Sequence, residues 1–196
     1  MKKSILFAIL IFLVLIGLLI HVYAQYVYTH DKLYGIIDSG YDRARYLLKE
    51  LSNTLTIISG KLGKLYESGL DPMKFKEVYP EDYMVLYLET HHAMIIADCI
   101  KTRFLEIKFV EPGEEYDKLS TILSDLGNTL LIINHALSSN DTTVIYEYAS
   151  RIRILAEIAI QLNALAETSD WRKIPVKTVD ELEKLLQDLK PRGIRV

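Results

Sequence analysis

The sequence predicts an all-α protein: an N-terminal transmembrane helix continuing into an antiparallel up-down-up-down four-helix bundle, with an extra C-terminal helix. Three observations carry this expectation. Ile5 to Ile20 is an unbroken apolar run behind Lys2 and Lys3. Three long segments repeat apolar residues at alternating steps of three and four, the spacing that puts one apolar stripe on a helix. No convincing stretch alternates apolar and polar residues as a half-buried strand would, and the prolines fall between the periodic segments.

Residues 1–24 come first. Ile5 to Ala24 rises roughly 30 Å at about 1.5 Å per residue, the thickness of a bilayer's hydrocarbon. His21 is the one polar interruption. The segment reads as an uncleaved single-pass anchor, and the alternative is a secretory signal cleaved after Ala24, where Val22 and Ala24 are the small residues a peptidase requires. Tyr23, Tyr26 and Tyr28 cluster where a span would leave the bilayer, the depth at which amphipathic rings settle. Lys2 and Lys3 place the N-terminus in the cytoplasm and the rest of the chain outside the cell membrane. A three-four stripe of Ile20, Tyr23, Val27, His30, Tyr34, Ile37 and Tyr41 carries the helix outward through a membrane-proximal stalk, residues 25–40.

Residues 41–170 form the predicted bundle. Its first helix carries Ile37, Tyr41, Ala44, Leu48, Leu51, Leu55, Ile58, Leu62 and Leu65. The third carries Leu119, Leu123, Leu126, Leu130, Ile133 and Leu137. The fourth carries Ile145, Tyr148, Ile152, Leu155, Ala159, Leu162 and Ala166. Such seams are those of bundles and coiled coils. Gly69 closes the first helix, and Asp71-Pro72 opens a short helical turn. Tyr79-Pro80 starts the second helix, with Glu81 and Asp82 in its acidic first turn. Pro112-Gly113 turns the chain before Glu114, and Ser138 to Asp141 separates the third helix from the fourth and supplies capping oxygens. In residues 171–196, Trp171 packs under the bundle, Thr178 and Glu181 read as a capping box, and Leu182, Leu185, Leu186 and Leu189 form an amphipathic helix before a basic tail.

Composition narrows the function classes. The chain carries 23 Lys and Arg against 26 Asp and Glu, with a net charge of −3. No basic face appears, so a nucleic-acid partner is not expected. Cys99 is the single cysteine, which excludes an intrachain disulfide and a thiolate zinc site, and its apolar neighbours make it a small buried hydrophobe. No nucleophile elbow, phosphate-cradling glycine loop or haem-attachment motif occurs, so no cofactor is expected.

The second helix is where chemistry would sit. Its best seam runs Met84, Leu88, His91, Ile95, Asp98, Thr102, Leu105 and Phe109, placing three polar residues on a core stripe where each needs a partner. Reflection about the turns puts His91 level with Asn134, His135 and Glu147, and Asp98 level with Gly127, Asn128 and one of Arg151 or Arg153. The first layer offers two imidazoles and a carboxylate, a set suited to zinc or non-haem iron. Glu89 and His92 have the Glu-x-x-His spacing of di-iron bundles, but no second copy exists and both lie off the His91 seam. The second layer reads as a register-fixing buried pair of Asp98 with Arg151 or Arg153, beside Asn128. Asn140-Asp141-Thr142 matches a glycosylation sequon and serves equally as a helix cap.

Two functions follow as expectations. One is a membrane-anchored extracytoplasmic interaction or ligand-sensing module without catalytic activity, with another membrane protein or a second copy as partner. Its architecture is loosely similar to the extracytoplasmic sensor bundles of bacterial and archaeal receptors, with no shared motif and without their second span or output domain. The other is a metal-binding helical-bundle enzyme or carrier centred on His91 and His135.

Overall fold

The structure, a computed structural model, describes the backbone of residues 2–110, 113–168 and 174–190, with side chains from residue 15 onward. All regular structure among the described residues is helical. The elements are α1 (Lys2–Ser68), α2 (Pro72–Val78), α3 (Pro80–Val110), α4 (Glu114–Ser139), α5 (Thr142–Ala149), α6 (Ile152–Ala166) and α7 (Val176–Leu189). The chain divides into two compact units, Met1–Ser39 and Gly40–Val196.

The N-terminal unit corrects the largest expectation. Among the described residues no helix is long and apolar enough to cross a membrane. This overturns the single-pass anchor, and with it the orientation that the anchor implied. From Leu15 the exposed apolar residues of the helix give way after Ile20 to polar ones. His21, Gln25, Thr29, His30, Asp31 and Lys32 then follow on the same helix. The earlier part of the run, Ile5 to Val14, lies outside the residues whose side chains are described. Tyr23, Tyr26 and Tyr28 are the residues expected as an interfacial belt on that anchor. They are exposed, and the rings stack locally instead: His30 lies 5.8 Å from Tyr26 and 4.4 Å from Tyr34, and Lys32 Nζ sits 4.8 Å over Tyr28.

The second unit is a helical bundle built on the seams the sequence exposes. In α1 every residue of the series Tyr41, Ala44, Leu48, Leu51, Leu55, Ile58, Leu62 and Leu65 is buried. The same holds for Leu119 through Leu137 in α4. Side-chain bonds give the directions. Arg45 Nε donates to Ala166 O at 2.7 Å and Ser52 Oγ to Ala159 O at 2.6 Å, so α1 and α6 run antiparallel. Lys61 pairs with Asp82 at 2.5 Å, and Glu50 lies 3.6 Å from His92, so α1 and α3 are antiparallel as well. Tyr83 Oη donates to Leu137 O at 2.5 Å while Lys108 pairs with Asp117, which sets α3 against α4.

Turn chemistry follows the sequence closely, with two departures. Gly69 adopts φ +62°, a left-handed conformation that costs glycine least, just past the end of α1. Asp71 caps α2 by accepting from Lys74 N at 2.9 Å, with Pro72 in the first helical position. Asn140 ends α4 in the left-handed region at φ 56°, and Asp141 caps α5 through Val144 N at 3.2 Å. The first departure is that the expected fourth helix breaks at Ser150 and Arg151 into α5 and α6, which leaves Ile152 half-buried rather than in the seam. The second is that α7 begins two residues before Thr178, so no Thr178–Glu181 capping box forms. Trp171 and the basic tail residues Arg192 and Arg195 lie outside the described residues.

α7 packs on α4 and α6. Its amphipathic stripe buries Val179, Leu182, Leu186 and Leu189. Two ion pairs hold it parallel to α4: Lys118 with Asp180 at 3.1 Å and Lys190 with Asp125 at 2.7 Å. Arg151, the residue at the α5–α6 break, donates to the carbonyls of Asp188 and Lys190 at the C-terminal end of α7, where cations meet unsatisfied oxygens.

Candidate functional site

α3 carries two three-four stripes about 150° apart, and the structure buries the one with fewer polar residues. The buried stripe is Tyr83, Leu86, Thr90, Ala93, Ala97, Ile100, Phe104 and Ile107. Thr90, Ala93 and Ala97 are small, which lets α3 lie close to its neighbours along that line. The other stripe is the seam expected to face the core, and it faces solvent throughout. Met84, Leu88, Ile95 and Leu105 are between 45% and 57% exposed and Phe109 is 91% exposed, with His91, Asp98 and Thr102 exposed between them.

This rotation dismantles both expected polar layers. His91 and His135 are exposed, and Glu147 is instead paired with Arg151 at 3.1 Å. Among the described residues no group of three or more His, Cys, Asp or Glu is placed to hold a metal ion. His92 does meet Glu89 on its own helix, 3.7 Å from Nδ1, and Glu50 of α1, 3.6 Å from Nε2. The two nitrogens lie on opposite sides of the ring and address different carboxylates, so the three groups do not converge on one point. Asp98 is 77% exposed and lies 3.9 Å from Lys101. Arg151 is engaged on α7, and Arg153 and Asn128 are exposed, so the buried Asp98–arginine pair is not formed. Cys99 is exposed as well, against the expectation of burial.

Between α3 and α4 the expected levels hold within about a turn, although the faces do not. Asn134 does stand opposite this part of α3: its Nδ2 donates to Tyr87 O at 2.8 Å and to Thr90 Oγ1 at 2.9 Å. Thr90 in turn donates back to Leu86 O at 2.9 Å, so the buried polar group on the α3 seam is satisfied. Asp98, Gly127 and Asn128 do share one level, as the rim of a surface cleft rather than a buried layer.

That cleft lies between α3 and α4 and measures about 360 Å³. Met94, Ile95, Leu123 and Leu131 give it apolar walls, and Cys99, Asp98, Lys101 and Asn128 a polar edge. Leu131, 50% exposed, extends the apolar surface of α3 onto α4. The result is one face, two helices wide, with apolar side chains along its length and a shallow opening at its middle.

A second cleft of about 300 Å³ lies between α4 and α7, lined by Asp117, Lys118, Asp125, Glu183 and Lys190 among others. Lys118, Asp125 and Lys190 are committed to the α4–α7 contact, and Asp117 to Lys108 of α3. Asp180 beside Lys118 raises the lysine above its ordinary pKa. Elsewhere burial, with the charge of Glu147, pushes the Tyr148 hydroxyl up to about 12, and burial raises Tyr83, so both phenols stay neutral in the folded bundle.

The sequence-based expectation misplaces the α3 core because it follows the stripe of Met84 to Phe109 in spite of the three polar residues that stripe carries. A signal was present: Tyr83, Leu86, Ala93, Ala97, Ile100, Phe104 and Ile107 form a second complete series, and a helix apolar on two faces has one to spare. No protein-family model, curated protein or solved structure matches the chain.

Proposed function

We propose that this protein is a non-catalytic helical-bundle interaction module whose working surface is the outer face of α3 with the adjoining cleft of α4. The observation that carries the reading is the uncovered stripe from Met84 to Phe109. Each apolar square ångström left in water forgoes about 25 cal/mol, and contiguous patches of several hundred Å² on a folded chain mark contact sites. The polar groups beside the cleft suit recognition better than proton transfer, because Asp98 and Lys101 sit in water and neutralise each other.

Capture of binding proteins from the native extract, with the wild-type chain and with Ile95→Glu compared side by side, tests the reading. Ile95 is exposed, so the substitution leaves the fold intact. Loss of captured proteins by the variant is the expected result. An identical set with both chains would show that the α3 face is not the working surface.

A further inference from the structure

We infer that α7 is a strap: its docking fixes the break between α5 and α6, and its release lets the two join into one helix. The chain on either side of the break is patterned for a single helix. The three-four series Ile145, Tyr148, Ile152 and Leu155 crosses Ser150 and Arg151 without a change of step, and neither proline nor glycine stands between Thr142 and Ala166. α6 also lacks the capping carboxylate that starts α2 and α5. Asp71 and Asp141 cap those helices, whereas Arg151 stands at the N-cap of α6 and its side chain makes no capping bond.

The backbone at the break departs little from a helix. Ser150 has φ −68° and ψ −16°, and Arg151 has φ −108° and ψ 18°. Rotation by roughly 45° in φ and 60° in ψ at Arg151 returns it to α-helical values. Joining would add backbone bonds, because among the described residues neither Ile152 N nor Arg153 N donates across the break. What holds the bend lies outside α5 and α6. Arg151 Nη1 donates to Asp188 O at 2.9 Å and to Lys190 O at 2.7 Å, at the end of α7 where helical N–H groups run out. Its bond to Glu147 is an i, i+4 pair that a continuous helix accommodates equally, so that bond does not select the bend. The end of α7 is fixed in turn by Lys190, paired with Asp125 of α4.

α7 is built for release. It has 14 residues, a length at which an isolated helix is marginal in water, so leaving the bundle and unwinding are one event. Val179, Leu182, Leu186 and Leu189 hold it by burial, and the half-exposed pairs Lys118–Asp180 and Lys190–Asp125 hold it by charges that salt screens. Docking of α7 and bending of the α5–α6 segment are therefore linked. The coupling is reciprocal: whatever strengthens the joined helix loosens α7.

Residue-resolved amide exchange of the full chain tests the strap. Leu182→Asp combined with Leu186→Asp puts two carboxylates where α7 buries its apolar stripe. The expected outcome is exchange about 100-fold faster along α7 and about tenfold slower at Ile152 and Arg153, with Leu55 and Leu130 of the bundle interior unchanged. Fast exchange kept at Ile152 and Arg153 after α7 is released would show that the break is local to α5 and α6, and would overturn the inference. Protection kept along α7, or lost throughout the bundle, would overturn it as well, since α7 would then be part of the core. Ser150→Ala supplies the reciprocal measurement without touching α7. Ser150 Oγ donates to Glu147 O at 2.7 Å, a local bond of the kind that bends helices. Its removal favours the joined helix, so α7 should exchange about twofold faster. Exchange of α7 unchanged by Ser150→Ala, with or without new protection at Ile152 and Arg153, would break the linkage and sink the strap.

Discussion

α3 and α4 are neighbours with the same three-four periodicity, yet they relate to solvent in opposite ways. α4 has one apolar stripe, Leu119 to Leu137, and every residue of it is buried. α3 has two, alike in their number of large apolar side chains, and the one that also carries His91, Asp98 and Thr102 is outside. Periodicity names the faces on which a helix can pack. It names the face that does pack only when there is a single candidate. Where there are two, the stripe that buries fewer polar groups packs: the outer one would have to bury His91, Asp98 and Thr102, whereas Thr90 is satisfied and, with Ala93 and Ala97, lets α3 approach closely.

The sharpest break of this comparison is a matched pair of truncations. Leu126→Ala on the buried α4 stripe should cost about 3 kcal/mol, whereas Ile95→Ala on the outer α3 stripe should cost less than about 1 kcal/mol. Urea unfolding at concentrations dilute enough to keep chains apart measures both. Comparable losses would mean that the outer stripe is covered within the chain.

Next in size is the polar tie between the two helices. Asn134→Ala removes the amide bonded to Tyr87 O and Thr90 Oγ1 and should cost about 1–2 kcal/mol. In a double-mutant cycle with Thr90→Ala the two losses should be less than additive, because the residues share one bond.

A smaller effect lies at the start of α3. Asp82 bonds Lys61 and Lys64, and those hydrogen bonds hold its carboxyl below the ordinary 3.8. A carboxylate with a depressed folded pKa stabilises the fold above 3.8 and loses that contribution as the pH falls through the folded value. Asp82→Asn should cost about 1 kcal/mol at neutral pH and flatten the acid side of the stability profile. A variant that keeps the same acid limb would assign that limb to other carboxylates.

The smallest effect is expected at Asp98. Exposed and paired only with Lys101 on its own helix, it should lose no more than about 0.5 kcal/mol in Asp98→Ala. A loss of several kcal/mol in thermal unfolding would restore the buried arginine pair and rotate α3 back to its expected face.

Much of the bundle could be read in the chain, and the errors concentrate where local pattern was ambiguous. Gly69, Asp71-Pro72, Pro80 and Asn140-Asp141 each do locally what their chemistry requires, so the turns were legible. The long series in α1 and α4 were legible because nothing competes with them. The α5–α6 break at Ser150 and Arg151 was not, since the apolar series runs through it, and the break shows itself only through the bonds from Arg151 to the end of α7. The candidate site was the hardest to see. The stripe from Met84 to Phe109 is legible as a stripe, but as core, and Met94, Lys101 and Leu131 beside it carry no pattern that marks them.

Sequence by itself determined the all-helical class, the turn positions, the levels at which α3 and α4 residues meet and the absence of a disulfide. These follow from backbone conformational preference, the 3.6-residue repeat and chain connectivity, all of which act locally. Tertiary structure alone decided which stripe of α3 is buried, and with it the exposure of His91, Asp98, Cys99 and His135. Both stripes are legible in the chain, and the choice between them depends on the partners and the close approach that neighbouring helices offer, a property of several segments together.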